Sequence, residues 1–418
     1  MENSSKRNQR SNIKQLKLYL NNIFVYLHSS RAQFRKDLFP SAGLITTGEE
    51  WYKFRSAVQK DMSKAKSALY YIKDITDIAI ELRETLEIRK GSDGKVCVND
   101  LLRLWALETT AIVFLAKRFK SFSCDPTEST WGREMVEAVE TFMSTNLQMN
   151  YMPPVWKLFP NLVPAMREHD RSMKTLLRLT KDHVMEALAK VDVNDESDQS
   201  IIAKFAKRNG KDSPICLAMA IDSLIAGLDT TGNTATILLY HLGKNPQKQE
   251  ILFQEIDNVI GSDDVKIDEA KLNELKYLKA CLSESQRMLP VTVGTARISQ
   301  VDMVLSGYQV PKGTFVLRGG TVMSNDSANF EEPEKYIPER WLRGHPKKAS
   351  AHPHASLPFG HGTRNCVGKR FALLEIQILI IKLLQKYSFE YDGDEVDIET
   401  ALVAKPNSDV RIKFVERK

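Results

Sequence analysis

The stretch Leu357-Pro-Phe-Gly-His-Gly-Thr-Arg-Asn-Cys-Val-Gly-Lys-Arg-Phe-Ala-Leu-Leu374 is a glycine-punctuated loop around Cys366, and an apolar run follows it to Leu384. Its glycines allow the backbone to approach a flat ligand closely. The apolar run predicts a helix whose positive end points at the sulfur and favours the thiolate. The flanking sequence lacks the C-x-x-C and H-x-x-x-H spacings of zinc sites. One anionic sulfur suits a haem iron, which takes four ligands from the porphyrin; the alternative is a buried structural thiol.

Five residues of this stretch match the pattern F-x-x-G-x-R-x-C-x-G, namely Phe359, Gly362, Arg364, Cys366 and Gly368. On these residues the chain resembles the cytochrome P450 family over roughly residues 31–418. The resemblance implies a mainly α (α+β) fold, a helical bundle around haem b with a small β region. It also implies that Cys366 is the iron ligand and that Phe359, Arg364 and Gly368 contact the cofactor.

Length and composition are compatible with a large folded core, since the chain has 418 residues and 42% of them are hydrophobic. The net charge of +6 is too small to name a partner, and we expect no nucleic-acid binding. The five cysteines are scattered, which favours a reducing compartment and no disulfide framework. The chain contains no uninterrupted run of eighteen apolar residues, so we expect no transmembrane span.

Residues 1–30 form a polar, basic segment that the resemblance does not match. Its composition is similar to that of an organelle transit peptide, without a clear one being present, and a solvated tail is the alternative. Residues 13–27 have apolar positions at helical spacing and predict a short amphipathic helix. We expect residues 31–418 to be a cytochrome P450 domain that lacks its usual N-terminal part, because the residues ahead of Trp51 leave no room for the family's first helices and strands.

Several segments predict helices by their apolar spacing, with prolines at 153, 154, 160 and 164 marking an adaptable loop. In the family this loop region forms a lid over the substrate. Trp51 and Arg55 lie four residues apart, on one helix face; alone, such a pair is usually a surface contact. The resemblance implies that Trp51 and Arg55 bind a haem propionate and that Arg297 is a second propionate-binding arginine. Arg55, Arg297 and Arg364 can supply guanidinium partners for the two propionates. The predicted helices are 73–88, 100–116, 130–147 and 166–190.

Ser213 and Pro214 predict the start of another helix, which we expect to end near His241 before Gly243 and Pro246. Its centre is Ala226-Gly-Leu-Asp-Thr-Thr-Gly232, which is unusually polar for a buried helix. Glycines that allow close helix packing are one explanation. The resemblance favours a locally opened helix that receives dioxygen beside Ala226 and Gly227, with Asp229 and Thr230 passing protons.

Glu284 and Arg287 form an E-x-x-R pair, a spacing that on a surface helix is an ordinary ion pair. The resemblance implies that Arg340 joins them in a buried network. Loss of one charge from such a network leaves another charge unpaired and lowers the stability of the fold. Between these motifs, residues 291–322 have Gly and Pro turns and alternating apolar residues, which predict a small sheet.

The resemblance implies a monooxygenase that inserts one atom of dioxygen into a small apolar substrate. Tyr277 to Leu282 and Gly368 to Ala372 are similar to the mitochondrial class of animals, which acts on sterols, ecdysteroids, secosteroids and xenobiotics. That class implies a ferredoxin docking on Lys279, Lys369 and Arg370, and peripheral association with the matrix side of the inner membrane. Three alternatives remain: a haem-thiolate isomerase or dehydratase, a truncated non-catalytic haem protein, and a microsomal-type enzyme served by a diflavin reductase.

Overall fold

A computed structural model describes residues 48–123, 130–151, 159, 162–346, 351–399 and 403–417. The expected mainly α (α+β) architecture is confirmed. The helices are α1 (Gly48–Met62), α2 (Ala65–Leu69), α3 (Ile72–Ile88), α4 (Asn99–Leu115), α5 (Thr130–Tyr151), α6 (Pro164–Lys190), α7 (Ile201–Asn209), α8 (Pro214–Lys244), α9 (Pro246–Val259), α10 (Glu269–Glu274), α11 (Lys276–Met288), α12 (Gly320–Ser324) and α13 (Lys369–Leu384). The strands are β1 (Lys95–Cys97), β2 (Gly294–Ile298), β3 (Met303–Leu305), β4 (Tyr308–Val310), β5 (Phe315–Gly319), β6 (Tyr387–Glu390), β7 (Ile398–Glu399), β8 (Lys405–Pro406) and β9 (Arg411–Glu416).

Some predictions concern residues outside the described ranges. These are the basic segment 1–30, the amphipathic helix 13–27 and the prolines at 153, 154 and 160. Of the five cysteines, Cys124 also lies outside the described residues.

The start of α8 agrees with the prediction and its end does not. The Ser213 hydroxyl oxygen accepts a hydrogen bond from the Ile215 N–H at 3.3 Å, and Pro214 occupies the first turn. The helix continues to Lys244, so the predicted end near His241 is wrong. Gly243 is needed for packing instead, because a Cβ there would lie 3.0 Å from the Cβ of Tyr391.

Two glycines bring α8 into close contact with α4. A Cβ at Gly227 would lie 2.6 Å from Oγ1 of Thr110, and a Cβ at Gly232 would lie 2.9 Å from Cα of Arg103. Any side chain at either position would therefore push the two helices apart. The close packing fixes the backbone of α4 against the polar centre of α8.

By length and composition alone, α8 could cross a membrane. However, 72% of its most apolar stretch is buried inside the protein, as is typical of the core helix of a soluble domain. The sequence predicted no transmembrane span because α8 has no uninterrupted apolar run of eighteen residues. Asp229 and several threonines interrupt its apolar sequence.

The small sheet predicted for residues 291–322 is present as two antiparallel pairs, β2 with β5 and β3 with β4. Ser306 and Gly307 join β3 to β4 with φ angles of 48° and 82°, the pattern of a type I′ turn. Sequence reasoning missed a second sheet, in which β9 lies between β1 and β6. Its strands are short and their partners are distant in the chain, so alternation within one segment did not reveal it.

Candidate active site

A cavity of about 460 Å³ lies between α1, α4, α8, β2 and the loop that carries Cys366. It brings together residues that are far apart in the sequence, and most of the surface inside it is apolar, with contributions from Met62, Phe114 and Ile376. Its lining includes the predicted catalytic residue Thr230. The residues predicted to contact a cofactor or its iron and found in the lining are Trp51, Arg55, Ala226, Gly227, Arg297, Phe359, Arg364, Cys366 and Gly368.

Cys366 faces the cavity from a tightly turned loop. Gly360 and Gly362 have φ angles of 68° and 76°, which a residue with a Cβ rarely adopts. The Cys366 N–H donates to the Phe359 carbonyl at 2.8 Å, which closes the loop around the sulfur. The thiol therefore points into the cavity from a fixed backbone.

Opposing effects act on the ionisation of the Cys366 sulfur. Burial raises the pKa of the Cys366 thiol above its ordinary value, although the N–H groups of Gly368 and Lys369 and the charge of Arg55 lower it. The N–H groups at the start of α13 and the Arg55 charge act in the predicted direction, towards the thiolate. A metal cation at the sulfur would favour the thiolate further, which fits a haem iron.

Guanidinium groups converge on one side of the cavity. Arg55 is buried and donates through Nη2 to Oδ1 of Asn365 at 2.8 Å, and through Nε to Gln59 at 2.9 Å. The Arg364 guanidinium stacks on the Trp51 ring with 3.8 Å between its Cζ and the ring centroid. Arg297 donates to the Ala296 carbonyl at 2.7 Å.

These cations favour an anionic ligand. Burial lowers the pKa of Arg364, and the charges of Arg297 and Arg55 lower it further. Guanidinium groups gathered in this way gain from a shared anion, and Arg binds carboxylates with matched geometry. The two propionates of haem b are carboxylates, so the cations, the thiol and the apolar walls together fit this cofactor.

On α8, Thr230 and Asp229 occupy different environments. The Thr230 hydroxyl lines the cavity and donates to the Ala226 carbonyl at 2.7 Å. The α-helix is continuous through this stretch, so the predicted local opening is wrong. The hydrogen bond from the Thr230 hydroxyl to the carbonyl four residues earlier gives the hydroxyl a partner without breaking the helix.

Asp229 is buried and is not among the residues that line the cavity. Its Oδ1 accepts a hydrogen bond from Nε of Arg103 at 2.9 Å. Burial raises the pKa of the Asp229 carboxyl, and the Arg103 charge opposes that rise.

Glu284, Arg287 and Arg340 meet in one buried network. Arg287 contacts both carboxylate oxygens of Glu284 at 2.9 Å, and Nε of Arg340 lies 3.1 Å from Oε1 of Glu284. Nε1 of Trp341 also donates to Glu284 at 2.9 Å, a contact that sequence reasoning missed. The E-x-x-R pair is therefore an interior charge network rather than a surface ion pair.

The three basic residues predicted to receive an electron donor differ in exposure. Lys369 and Arg370 are exposed at the start of α13; the Lys369 Nζ lies 5.4 Å from the Phe359 ring centroid, and Arg370 donates to the Ser63 carbonyl at 2.6 Å. Lys279 is half-buried, and its Nζ donates to the Asn273 carbonyl at 3.3 Å. Burial lowers the pKa of Lys279.

Sequence reasoning missed three further polar residues. Asn365 had a signal, since it directly precedes Cys366. Glu375 lines the cavity from α13, where an acid inside an apolar run was the available signal; burial raises its pKa to about 8, opposed by a hydrogen bond with Thr109. Arg103 had no signal, because 126 positions separate it from Asp229.

Comparisons with known proteins agree with this geometry. The family model for cytochrome P450 matches residues 23–414. The chain is 32% identical over 409 residues to the probable cytochrome P450 49a1 of Drosophila melanogaster, covering 94% of this chain and 69% of that protein. It is 32% identical over 417 residues to cytochrome P450 CYP12A2 of Musca domestica, covering 94% and 76%. It is 31% identical over 394 residues to cytochrome P450 302a1, mitochondrial, of D. melanogaster, covering 92% and 78%.

Proposed function

This chain belongs to the cytochrome P450 family of haem b monooxygenases, and from that premise we propose that it hydroxylates a sterol-like substrate in the mitochondrion with electrons from a ferredoxin. The family and the cofactor follow from the comparisons. The substrate class, the electron donor and the roles of individual residues are our proposal.

On the proximal side, Cys366 would ligate the iron, held by the turned loop and by the N–H groups of Gly368 and Lys369. Arg55, Arg297 and Arg364 would hold the two carboxylates, while Trp51 keeps the Arg364 guanidinium in place by stacking. When bound, the haem supplies the redox chemistry that activates dioxygen. Apolar walls such as Phe114 keep water away from the reacting centre.

On the distal side, Thr230, whose side chain lies in the cavity lining, would hold a proton at its Oγ1. Asp229 would resupply that proton from the other side of the helix. Adjacent residues on a helix do not face each other, so the carboxyl needs a water or a change of its contact with Arg103 to reach Thr230. The Arg103 pair therefore belongs to the proton path as much as the carboxyl does.

The largely apolar surface of the cavity supports an apolar substrate, and polar side chains in its wall, such as Ser223, Thr292 and Gln286, would bind the polar groups that such a substrate carries. Several relatives carry the word mitochondrial in their names, which supports the same compartment for this chain. We place the enzyme peripherally on the matrix side of the inner membrane, where Lys369 and Arg370 would receive an acidic ferredoxin.

The observation that carries the proposal is that Cys366 and the three arginines face one cavity. Its test is reconstitution of the haem-loaded protein with a ferredoxin and its reductase, or with a diflavin reductase, against a panel of sterols and ecdysteroids. We expect a substrate-induced shift of the haem absorption and turnover with the ferredoxin system. Turnover with the diflavin reductase alone would favour a microsomal-type partner, and no turnover with either would favour a non-catalytic haem protein.

A further inference from the structure

Arg103 is the centre of an ion network that reaches from α4 to three other elements. Its Nε lies 2.9 Å from Oδ1 of Asp229 on α8, and its Nη1 lies 3.4 Å from Oε2 of Glu140 on α5. Lys405 on β8 lies 3.1 Å from the other oxygen of Glu140. We call Arg103, Glu140, Asp229 and Lys405 the Arg103 network.

The members of the Arg103 network differ in solvent exposure. The side chains of Arg103 and Asp229 are 9% and 10% exposed, whereas those of Glu140 and Lys405 are 49% and 44% exposed. The inner pair, Arg103 and Asp229, thus lies in a region of low dielectric. The outer pair, Glu140 and Lys405, can respond to solvent and to movement of α5 and β8, which carry these two residues. One guanidinium is shared between a buried and a partly exposed carboxylate.

The inner pair is also mechanically fixed. The backbone of Arg103 packs directly on Gly232, three residues after Asp229, with no space for a Cβ. The outer pair has a different connection: Ala404, next to Lys405, donates its N–H to the carbonyl of Val291 at 2.8 Å. Val291 lines the cavity, so the position of Lys405 depends on the cavity wall.

We propose that Arg103 is a positioning residue for Asp229, and that Glu140 and Lys405 set, in opposite directions, how firmly Arg103 holds that carboxylate. This inference rests on the proposed function, in which Asp229 supplies protons to Thr230. A carboxylate that Arg103 holds firmly takes up a proton less readily and so has fewer protons to pass to Thr230, whereas one held weakly is protonated more readily but is less fixed in position. The outer pair adjusts Asp229 between these limits.

The charges around Asp229 shift the pKa of its carboxyl in opposite directions. Glu140 raises the pKa of Asp229, while Arg103 and Lys405 lower it, all against a background of burial that raises it. Removing the Glu140 charge should therefore lower the pKa of Asp229, and removing the Lys405 charge should raise it. Asp100 provides a control, because it also lies 3.3 Å from Nη1 of Arg103 but its side chain is 81% exposed.

The test measures the Asp229 carboxyl by infrared difference spectroscopy of the haem-loaded protein during a pH titration. The band is assigned as the one that disappears in Asp229→Asn. Glu140→Gln should move its midpoint down and Lys405→Gln should move it up, each by roughly half a pH unit, the size expected for partly solvated charges. The double variant should return close to the parent, and Asp100→Asn should leave the midpoint unchanged.

Arg103→Lys keeps a positive charge without the forked geometry, so it should retain the fold while broadening the titration of Asp229. If Glu140→Gln and Asp100→Asn move the midpoint equally, or if the two single variants move it in the same direction, the proposal is overturned. Failure of the proposed function has a different signature: Asp229→Asn would then give the parent's product yield per electron, whatever the infrared titrations show.

Discussion

Nε of Arg103 lies 2.9 Å from Oδ1 of Asp229, although the two residues are 126 positions apart in the chain. The acid that the sequence singled out as a proton donor is thus half of a buried ion pair. Thr230, the next residue, lines the cavity with its hydroxyl bound to the Ala226 carbonyl. If Asp229 delivers protons as proposed, that delivery depends on a residue of α4 that no motif of α8 contains.

Replacing Cys366 by histidine should abolish the thiolate-type spectrum of the reduced protein with carbon monoxide, because imidazole donates less electron density to iron than a thiolate does. The measurement is the absorption spectrum of the carbon monoxide complex at equal haem content. Cys97→Ser is the matched control, since Cys97 is an exposed cysteine of β1 away from the cavity. If the Cys366→His protein gives the parent's spectrum, Cys366 is not the iron ligand.

Thr230→Ala should lower the product formed per electron by at least about tenfold and release the difference as peroxide, because the cavity loses a proton-bearing hydroxyl. Haem content and substrate binding should be unchanged. Thr230→Ser keeps the hydroxyl and should retain most of the coupling. Parent-like product yield in the alanine variant would count against the role of Thr230.

Charge reversal by Lys369→Glu with Arg370→Glu should raise the ferredoxin concentration for half-maximal turnover and flatten its dependence on salt, because steering by exposed charges is lost. Lys174→Glu with Lys181→Glu, on the exposed side of α6, is the control. The carbon monoxide spectrum checks that loss of the Arg370 contact to the Ser63 carbonyl leaves the site intact. If the first double variant accepts electrons as readily as the control, ferredoxin docks elsewhere.

Glu284→Gln should lower the free energy of unfolding by about 3–5 kcal/mol, because Arg287 and Arg340 would be left in the interior without their shared anion. Trp341→Phe removes one neutral donor to the same carboxylate and should cost only about 1 kcal/mol. Urea unfolding of both variants measures the difference. Equal losses would show that the carboxylate charge contributes little.

Glu375 predicts a pH dependence of stability. Its folded pKa is raised to about 8 by burial, above the ordinary value of 4.5 for an exposed glutamate. Between these two values the native state holds a proton that the unfolded chain has released, so stability should fall as pH rises from about 4.5 to 8, with a slope of up to about 1.4 kcal/mol per pH unit.

Glu375→Gln should remove this slope, because the amide does not titrate. The measurement is the free energy of unfolding of both proteins between pH 5 and 8. If the parent and the variant show parallel curves, Glu375 is ionised in the folded protein and has a partner other than Thr109.

Short-range patterns were sufficient for most elements. The Ser213-Pro214 start of α8 and the presence of glycine turns within residues 291–322, one of them at Ser306-Gly307, were predicted correctly, because caps and turns depend on neighbouring residues. The end of α8 was predicted wrongly because Gly243 serves a contact with Tyr391, which is distant in the chain.

The sequence alone determined the cofactor class, since the spacing of Phe359, Gly362, Arg364, Cys366 and Gly368 is a local pattern that belongs to one family. It also identified Asp229 and Thr230 as unusual polar residues within an apolar helix. Only the tertiary structure decided which distant groups lie near the Cys366 sulfur, among them the Arg55 charge, and that Arg103 and not solvent faces Asp229. The physical reason is that desolvation and ion pairing depend on which distant residues surround a group, and helix packing, here permitted by Gly227 and Gly232, sets those surroundings.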